Sequence, residues 1–341
     1  THKFPYPIDK NFEFTNNIPS KKDCQKHNWV SYQFTQEASR AYQDLYDNYN
    51  GLKNKFINFW KIIATNFKNC NNCIGYELMN EPWAGDIFNN PSLLLPHNAD
   101  IHNLEKFYHD IALEINKIDN NHCILFESVT WDIYGVGFNS IPGNNSKKSI
   151  LSYHAYFPPN IFIDTSFKVR KKDIQRLNCG GFLTEFSYGS GNIGDESDLD
   201  KALKMLDTAD KYIQSWTVWE YKQFFPITGP NKGFYRDNGA LTNTYYTLSR
   251  PYAKIINGRI KLMKFDNSSK LFRLSYNPYY NSFSSEIYLN SRLHYPYGYI
   301  VDFNPINSIF YSFNKRDNTL IIYNNNNSCF NIININIYPK L

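Results

Sequence analysis

Residues 75–83 read Gly75-Tyr76-Glu77-Leu78-Met79-Asn80-Glu81-Pro82-Trp83. The apolar and aromatic run from Ile74 to Met79 predicts a buried strand that stops at Asn80-Glu81-Pro82. Pro82 has no N–H to give a strand ladder, and it restricts the backbone of the residue before it. A carboxylate is therefore presented at the carboxyl end of a strand, with an amide beside it and an aromatic plate, Trp83, two residues on. In parallel α/β folds that end of the sheet is where chemistry sits.

The same texture recurs on either side. Cys123–Ser128, Ile150–Tyr156, Gly181–Phe186 and Ser215–Tyr221 are further apolar runs, and helical periodicity fills the gaps between them. One long amphipathic helix is expected from Glu37 to about Phe67, carried by Leu45, Leu52, Phe56, Phe59, Trp60, Ile63 and Phe67. Others are expected over Asn103–Ile118, about 165–177, Asp198–Ile213 and Thr244–Asn257. Strands that are apolar throughout, alternating with helices, predict a parallel sheet covered by helices.

Five such strands are three short of a closed (β/α)8 TIM barrel. The deficit falls at the N-terminus, where residues 1–35 read as a surface loop. The chain is thus expected to be a fragment of a longer enzyme or a truncated product. After Ile260 the pattern becomes short alternating strands, at Leu271–Tyr276, Glu286–Asn290, Tyr299–Phe303, Ile309–Phe313, Leu320–Tyr323 and Ile332–Tyr338. These predict an all-β, antiparallel sandwich. The domains expected are 1–260, an N-terminally incomplete barrel, and 261–341, the sandwich.

Composition sets the outer bounds. The 341 residues carry 36 basic and 31 acidic side chains, a net charge of +5. That balance argues against a nucleic-acid partner, and the one dense basic run, Arg170-Lys171-Lys172, reads as a solvated helix face. No apolar run reaches the 18 residues of a membrane span, and no signal peptide is visible at Thr1. Cys70-Asn71-Asn72-Cys73 is a lone pair without the second pair a zinc site needs, so no metal is expected. Three Asn-x-Ser sequons (Asn144, Asn267, Asn326) point to a secreted or lysosomal setting.

The chemistry is carried by what the strand ends offer. Glu81 and Glu185 (in Thr184-Glu185-Phe186) end two strands that a parallel sheet turns toward one face. Paired carboxyls about 5–5.5 Å apart are the requirement for retaining glycoside hydrolysis. Asn80 would hydrogen-bond a sugar 2-hydroxyl. His154 and Tyr156 share a side of their strand and would hold and tune Glu185. Trp219 would floor the sugar site. Glu77 and Glu127 are competing carboxylates without comparable flanks. Taken singly, His154, Tyr156 and Trp219 say little; their order along consecutive strands is the signal.

In that order these residues resemble glycoside hydrolase family 5. The run Gly75–Asp86 is similar to the endoglycoceramidase version of its motif. Leu183-Thr184-Glu185-Phe186, Trp219-Glu220-Tyr221-Lys222, Leu248–Tyr252, Glu286–Asn290 and Tyr295–Tyr299 resemble the same subgroup. The resemblance implies Glu81 as acid/base and Glu185 as nucleophile, with no metal or cofactor. It implies cleavage of the β-glucosidic bond between oligosaccharide and ceramide in glycosphingolipids. It also implies Lys222 as a contact for a sugar hydroxyl or the ceramide head. A ceramide needs an apolar slot, for which Ile87, Phe88 and Leu93–Leu95, with Phe157, Ile161 and Phe162, are the candidates. Contact with a membrane surface, and help from a detergent-like or activator factor, go with such a substrate. Two other readings stay open: another family 5 β-glucosidase acting on glucosylceramide, a sterol glucoside or a β-glucan, and an inactive glycolipid-binding protein. The family's first three strands have no counterpart here, and His27-Asn28-Trp29 does not restore them.

Overall fold

The computed structural model describes residues 14–15, 18–24, 33–131, 133–156, 162–187, 196–222, 233–236, 238–325 and 330–340. Five strands form the parallel sheet in sequential order: β1 (Gly75–Glu77), β2 (Cys123–Glu127), β3 (Ser149–Ala155), β4 (Gly180–Phe186) and β5 (Ser215–Trp216). All five lie within the predicted runs or overlap them. Two helices precede the sheet, α1 (Gln36–Tyr46) and α2 (Leu52–Phe67); α3 (Glu105–Asn116), α4 (Ile163–Leu177) and α5 (Glu196–Tyr212) lie between its strands, and α6 (Asn243–Leu248) follows. By contacts the chain divides into two compact units, Thr1–His154 with Lys168–Phe182, and Ala155–Phe167 with Leu183–Leu341.

The first unit holds β1 and β2 in parallel register, Gly75 opposite Cys123, with β2 continuing onto β3 at Ile124–Ser149. The single long helix expected from Glu37 is two helices. Asn48 (φ 61°), Asn50 (φ 49°) and Gly51 (φ 75°) adopt left-handed backbone between them. Asn and Gly tolerate that conformation where other residues do not, so the apolar spacing runs on while the backbone breaks. α1 is capped by Thr35, whose hydroxyl accepts from the Ala38 N–H at 3.2 Å. The core is ring-rich. Phe56 stacks on Phe107 at 5.6 Å, Trp60 meets Tyr76 edge-on at 6.2 Å, and Phe126 meets Phe138 at 5.3 Å. Each such ring removes about 150–250 Å² from water, on the order of 4–6 kcal/mol gross. Phe59 and Phe67, expected on the same face, are exposed.

In the second unit the sheet pairing outlasts β5: the Thr217 N–H donates to Leu183 O at 2.9 Å and the Trp219 N–H to Phe186 O at 2.8 Å. Thr244–Asn257, expected to be helical throughout, is helical only to Leu248. Pro251 cannot give the N–H that another turn requires. Tyr252–Ile255 is instead a strand, β6, followed by β7 (Gly258–Asp266). β7 escaped the alternation test because a bulge where it pairs with Ser275/Tyr276 shifts its register midway. The six predicted strands are present as β8 (Leu271–Pro278), β9 (Ser285–Tyr288), β10 (Tyr299–Asn304), β11 (Ile309–Asn314), β12 (Thr319–Asn324) and β13 (Ile333–Pro339).

Two antiparallel sheets result, ordered β10-β13-β8-β7 and β11-β12-β9-β6. In β13 the sequence Ile-Asn-Ile-Asn-Ile alternates in and out, with Ile333, Ile335 and Ile337 fully buried. They lie opposite Tyr276, Leu274 and Phe272 of β8, the period-2 packing that makes a sandwich. Arg250, also buried, ties this region to α5. Its guanidinium lies 2.8 Å from Asp210 and 2.9 Å from Asp207, and it donates to Phe265 O at 3.1 Å.

Candidate active site

The strand expected to end at Asn80 loses regular pairing just beyond β1, where the Leu78 N–H still donates to Leu125 O at 3.1 Å. Glu81 then turns into left-handed backbone, φ 43°. A non-glycine residue holds that conformation only when its surroundings over-determine it, and here they do. The Glu81 N–H donates to Glu127 Oε2 at 2.8 Å. His154 Nδ1 lies 3.0 Å from Glu81 Oε1 and 3.5 Å from Glu127 Oε1. His154, expected to serve Glu185, thus has Glu81 as a hydrogen-bond partner, which the sequence reading did not give it. Glu127 is only 3% exposed. Burial pushes its carboxyl up to about 8, against the opposing pull of His154 and of the Glu81 N–H.

The loop after Glu81 is fixed from three sides. The Thr130 N–H donates to Pro82 O at 3.3 Å. The Tyr46 hydroxyl donates to Trp83 O at 2.6 Å, and Asn103 Nδ2 donates to Ala84 O at 2.6 Å. Gly85 has φ 109°, and a side chain there would collide with Gln43 and Asn103. Trp83 is no sugar plate. It is 4% exposed, its indole N–H donates to the Ser39 hydroxyl at 3.1 Å, and its ring meets Trp131 at 4.5 Å. The side chain that follows Pro82 therefore points inward. Asn80 is exposed beside Glu81.

In the second unit the Tyr156 hydroxyl donates to Glu185 Oε1. This is the partnership expected of Tyr156. Trp219 follows the last strand with 44% of its surface exposed, and Lys222 is exposed three residues on. Tyr221 packs edge-on to Phe234 at 5.4 Å. Of the proposed apolar slot, Leu93 is buried, Phe88, Leu94 and Leu95 are exposed, and Phe162 is 73% exposed. Phe157 and Ile161, like His27–Trp29, lie outside the described residues. The residue that sequence reasoning undervalued is Glu127. Its flanks, Phe126 and Ser128, resemble no motif; the available signal was its position at the end of the strand next to β1.

A strand-end carboxyl fixed by an imidazole and a second carboxyl is equipped to move a proton. A carboxyl receiving a phenol hydroxyl is held in one orientation, as a nucleophile must be. A family model described as cellulase (glycosyl hydrolase family 5) matches residues 26–224. The chain belongs to glycoside hydrolase family 5. The family 5 C-terminal domain matches residues 250–337, which begins where strand pairing of the sandwich begins. Among relatives, an endoglycoceramidase of Hydra vulgaris is 38% identical over 318 residues, covering 89% of this chain and 59% of that protein. One of Cyanea nozakii is 38% identical over 325 residues, covering 90% and 62%. The family 5 chain thus spans about three-fifths of the length of these relatives. Endo-glycoceramidase II from Rhodococcus sp., 18% identical, superposes with a TM-score of 0.77 over 92% of this chain and 71% of that one. It shares the barrel-plus-sandwich fold.

Proposed function

We propose that this chain carries the reacting carboxylates of a retaining β-glycosidase that releases intact oligosaccharide from ceramide. In the first step Glu185 attacks the anomeric carbon, the bond to the ceramide oxygen breaks, and Glu81 gives that oxygen its proton. In the second, Glu81 takes a proton from water, whose oxygen attacks the same carbon and frees Glu185. Asn80 would hold the sugar 2-hydroxyl and Trp219 would stack on the ring. Lys222 would reach a hydroxyl or the ceramide head, and Phe88, Leu94 and Leu95 would meet the lipid chains.

The observation that carries this reading is that each carboxylate already has its own partner. The proton donor has an imidazole (His154) and the nucleophile a phenol (Tyr156). The substrate class is supported by the names of the Hydra and Cyanea relatives and by a Rhodococcus enzyme structure described as a ganglioside GM3 complex. Such a substrate would be met at a membrane surface. The exposed sequon residues Asn144 and Asn267 favour a secreted or lysosomal protein, which a mobility shift on glycan removal after expression in a secretory host would test.

The activity test is turnover of a fluorescent glycosphingolipid by this chain and by Glu185→Gln, with products separated by thin-layer chromatography. Intact oligosaccharide plus ceramide from the wild type, abolished in the variant, is the expected result. Stepwise glucose release would move the assignment to a β-glucosidase. Binding without turnover by both chains would refute the enzyme reading.

A further inference from the structure

We propose that Glu127 is the positioning residue of the proton donor, holding the Glu81 backbone and the His154 ring in the geometry from which Glu81 delivers its proton. The proposal rests on the glycosidase reading above. Three distances define it: Glu127 Oε2 to Glu81 N at 2.8 Å, Glu127 Oε1 to His154 Nδ1 at 3.5 Å, and His154 Nδ1 to Glu81 Oε1 at 3.0 Å. One buried carboxyl thus touches the donor's main chain and the imidazole that touches the donor's side chain.

The backbone shows why such a clamp is needed. Glu81 sits at φ 43° just before Pro82, and neither residue type favours that turn. Left-handed backbone at a non-glycine residue costs on the order of 1–3 kcal/mol, so the turn needs a partner. The Glu127 oxygen satisfies the Glu81 N–H, which would otherwise be without an acceptor near the protein interior. Glu127 itself is held by the parallel pairing of β2 with β3, Glu127 opposite Ser152, on the strand that also carries His154. The acid's backbone and its imidazole are therefore referenced to the same pair of strands. A displacement of about 1 Å at a reacting group costs roughly 100-fold in rate, which sets the effect to expect.

The test compares Glu127→Leu, which removes the acceptor, with Glu127→Gln, which keeps one. kcat/KM is measured on a ceramide-linked glycoside, whose leaving oxygen must be protonated, and on the matching glycosyl fluoride, whose leaving group needs no proton. Thermal unfolding of each variant establishes that it folds. Glu127→Leu is expected to lose about 100-fold on the lipid and less than about 5-fold on the fluoride, and Glu127→Gln to recover most of the loss. Equal losses on both substrates, or none, would overturn the proposal. If the wild type turns over neither substrate, the glycosidase reading fails. The clamp is then judged from the Glu81 amide resonance, which must move upfield in Glu127→Leu but not in Glu127→Gln. An amide unmoved by the leucine would overturn it.

Discussion

Raising the pH should loosen the first unit, and one side chain should account for much of the effect. The Glu127 carboxyl is shifted from the usual 4.5 to about 8 by burial, so the folded chain holds a proton that the unfolded chain has released. Its contribution is full below about pH 4.5 and is lost as pH rises toward 8, the opposite direction to that of a salt-bridged carboxylate. One proton is worth about 1.36 kcal/mol per pH unit, so the loss between pH 5 and pH 8 is roughly 4 kcal/mol. Glu127→Gln carries no titrating proton and keeps an acceptor for the Glu81 N–H. Urea unfolding followed by tryptophan fluorescence at pH 5, 6, 7 and 8 should show the variant gaining on the wild type by about that amount. Taking the difference cancels every group the two chains share. A gap constant to within about 1 kcal/mol across this range would refute the argument that Glu127 folds protonated.

Tyr156→Phe removes the hydroxyl from Glu185 and should lower kcat on the glycolipid by about 10–100-fold with KM little changed, read by steady-state kinetics. Arg250→Met leaves Asp210 buried without its 2.8 Å partner and should cost about 3–5 kcal/mol in denaturant unfolding. Adding Asp210→Leu should return much of that loss. Gly85→Ala, at φ 109° and against Gln43 and Asn103, should destabilise by more than about 1 kcal/mol and lower activity through the adjoining Glu81 turn.

Strand existence was legible wherever an apolar run was bounded by turn residues, which is why all five parallel strands and six of the sandwich strands lie where periodicity puts them. What periodicity misses is backbone conformation. Asn48-Tyr49-Asn50-Gly51 interrupts a helix without interrupting its apolar spacing, and Pro251 ends α6 while the aromatic texture continues into β6. The site shows the same division. Glu81, Glu185 and Tyr156 were legible because their flanks are chemical: a proline after one carboxyl, and a phenol one strand away from the other. The inward turn of Trp83 and the service of Glu127 and His154 to Glu81 depend on register between neighbouring strands, which a single sequence does not encode locally.

The loop that presents Glu81 is gripped by Ser39, Gln43 and Tyr46, spaced four and three residues apart on α1. That spacing places all three on one stripe of the helix. A saturation scan scored on catalysis should therefore find a narrow line of intolerant positions running up α1, about forty residues upstream of the motif. The exposed positions Arg40 and Ala41 on the same helix should accept almost anything. Sensitivity to mutation here would trace mechanical support, and a map of it read without the structure would mistake a brace for a binding site.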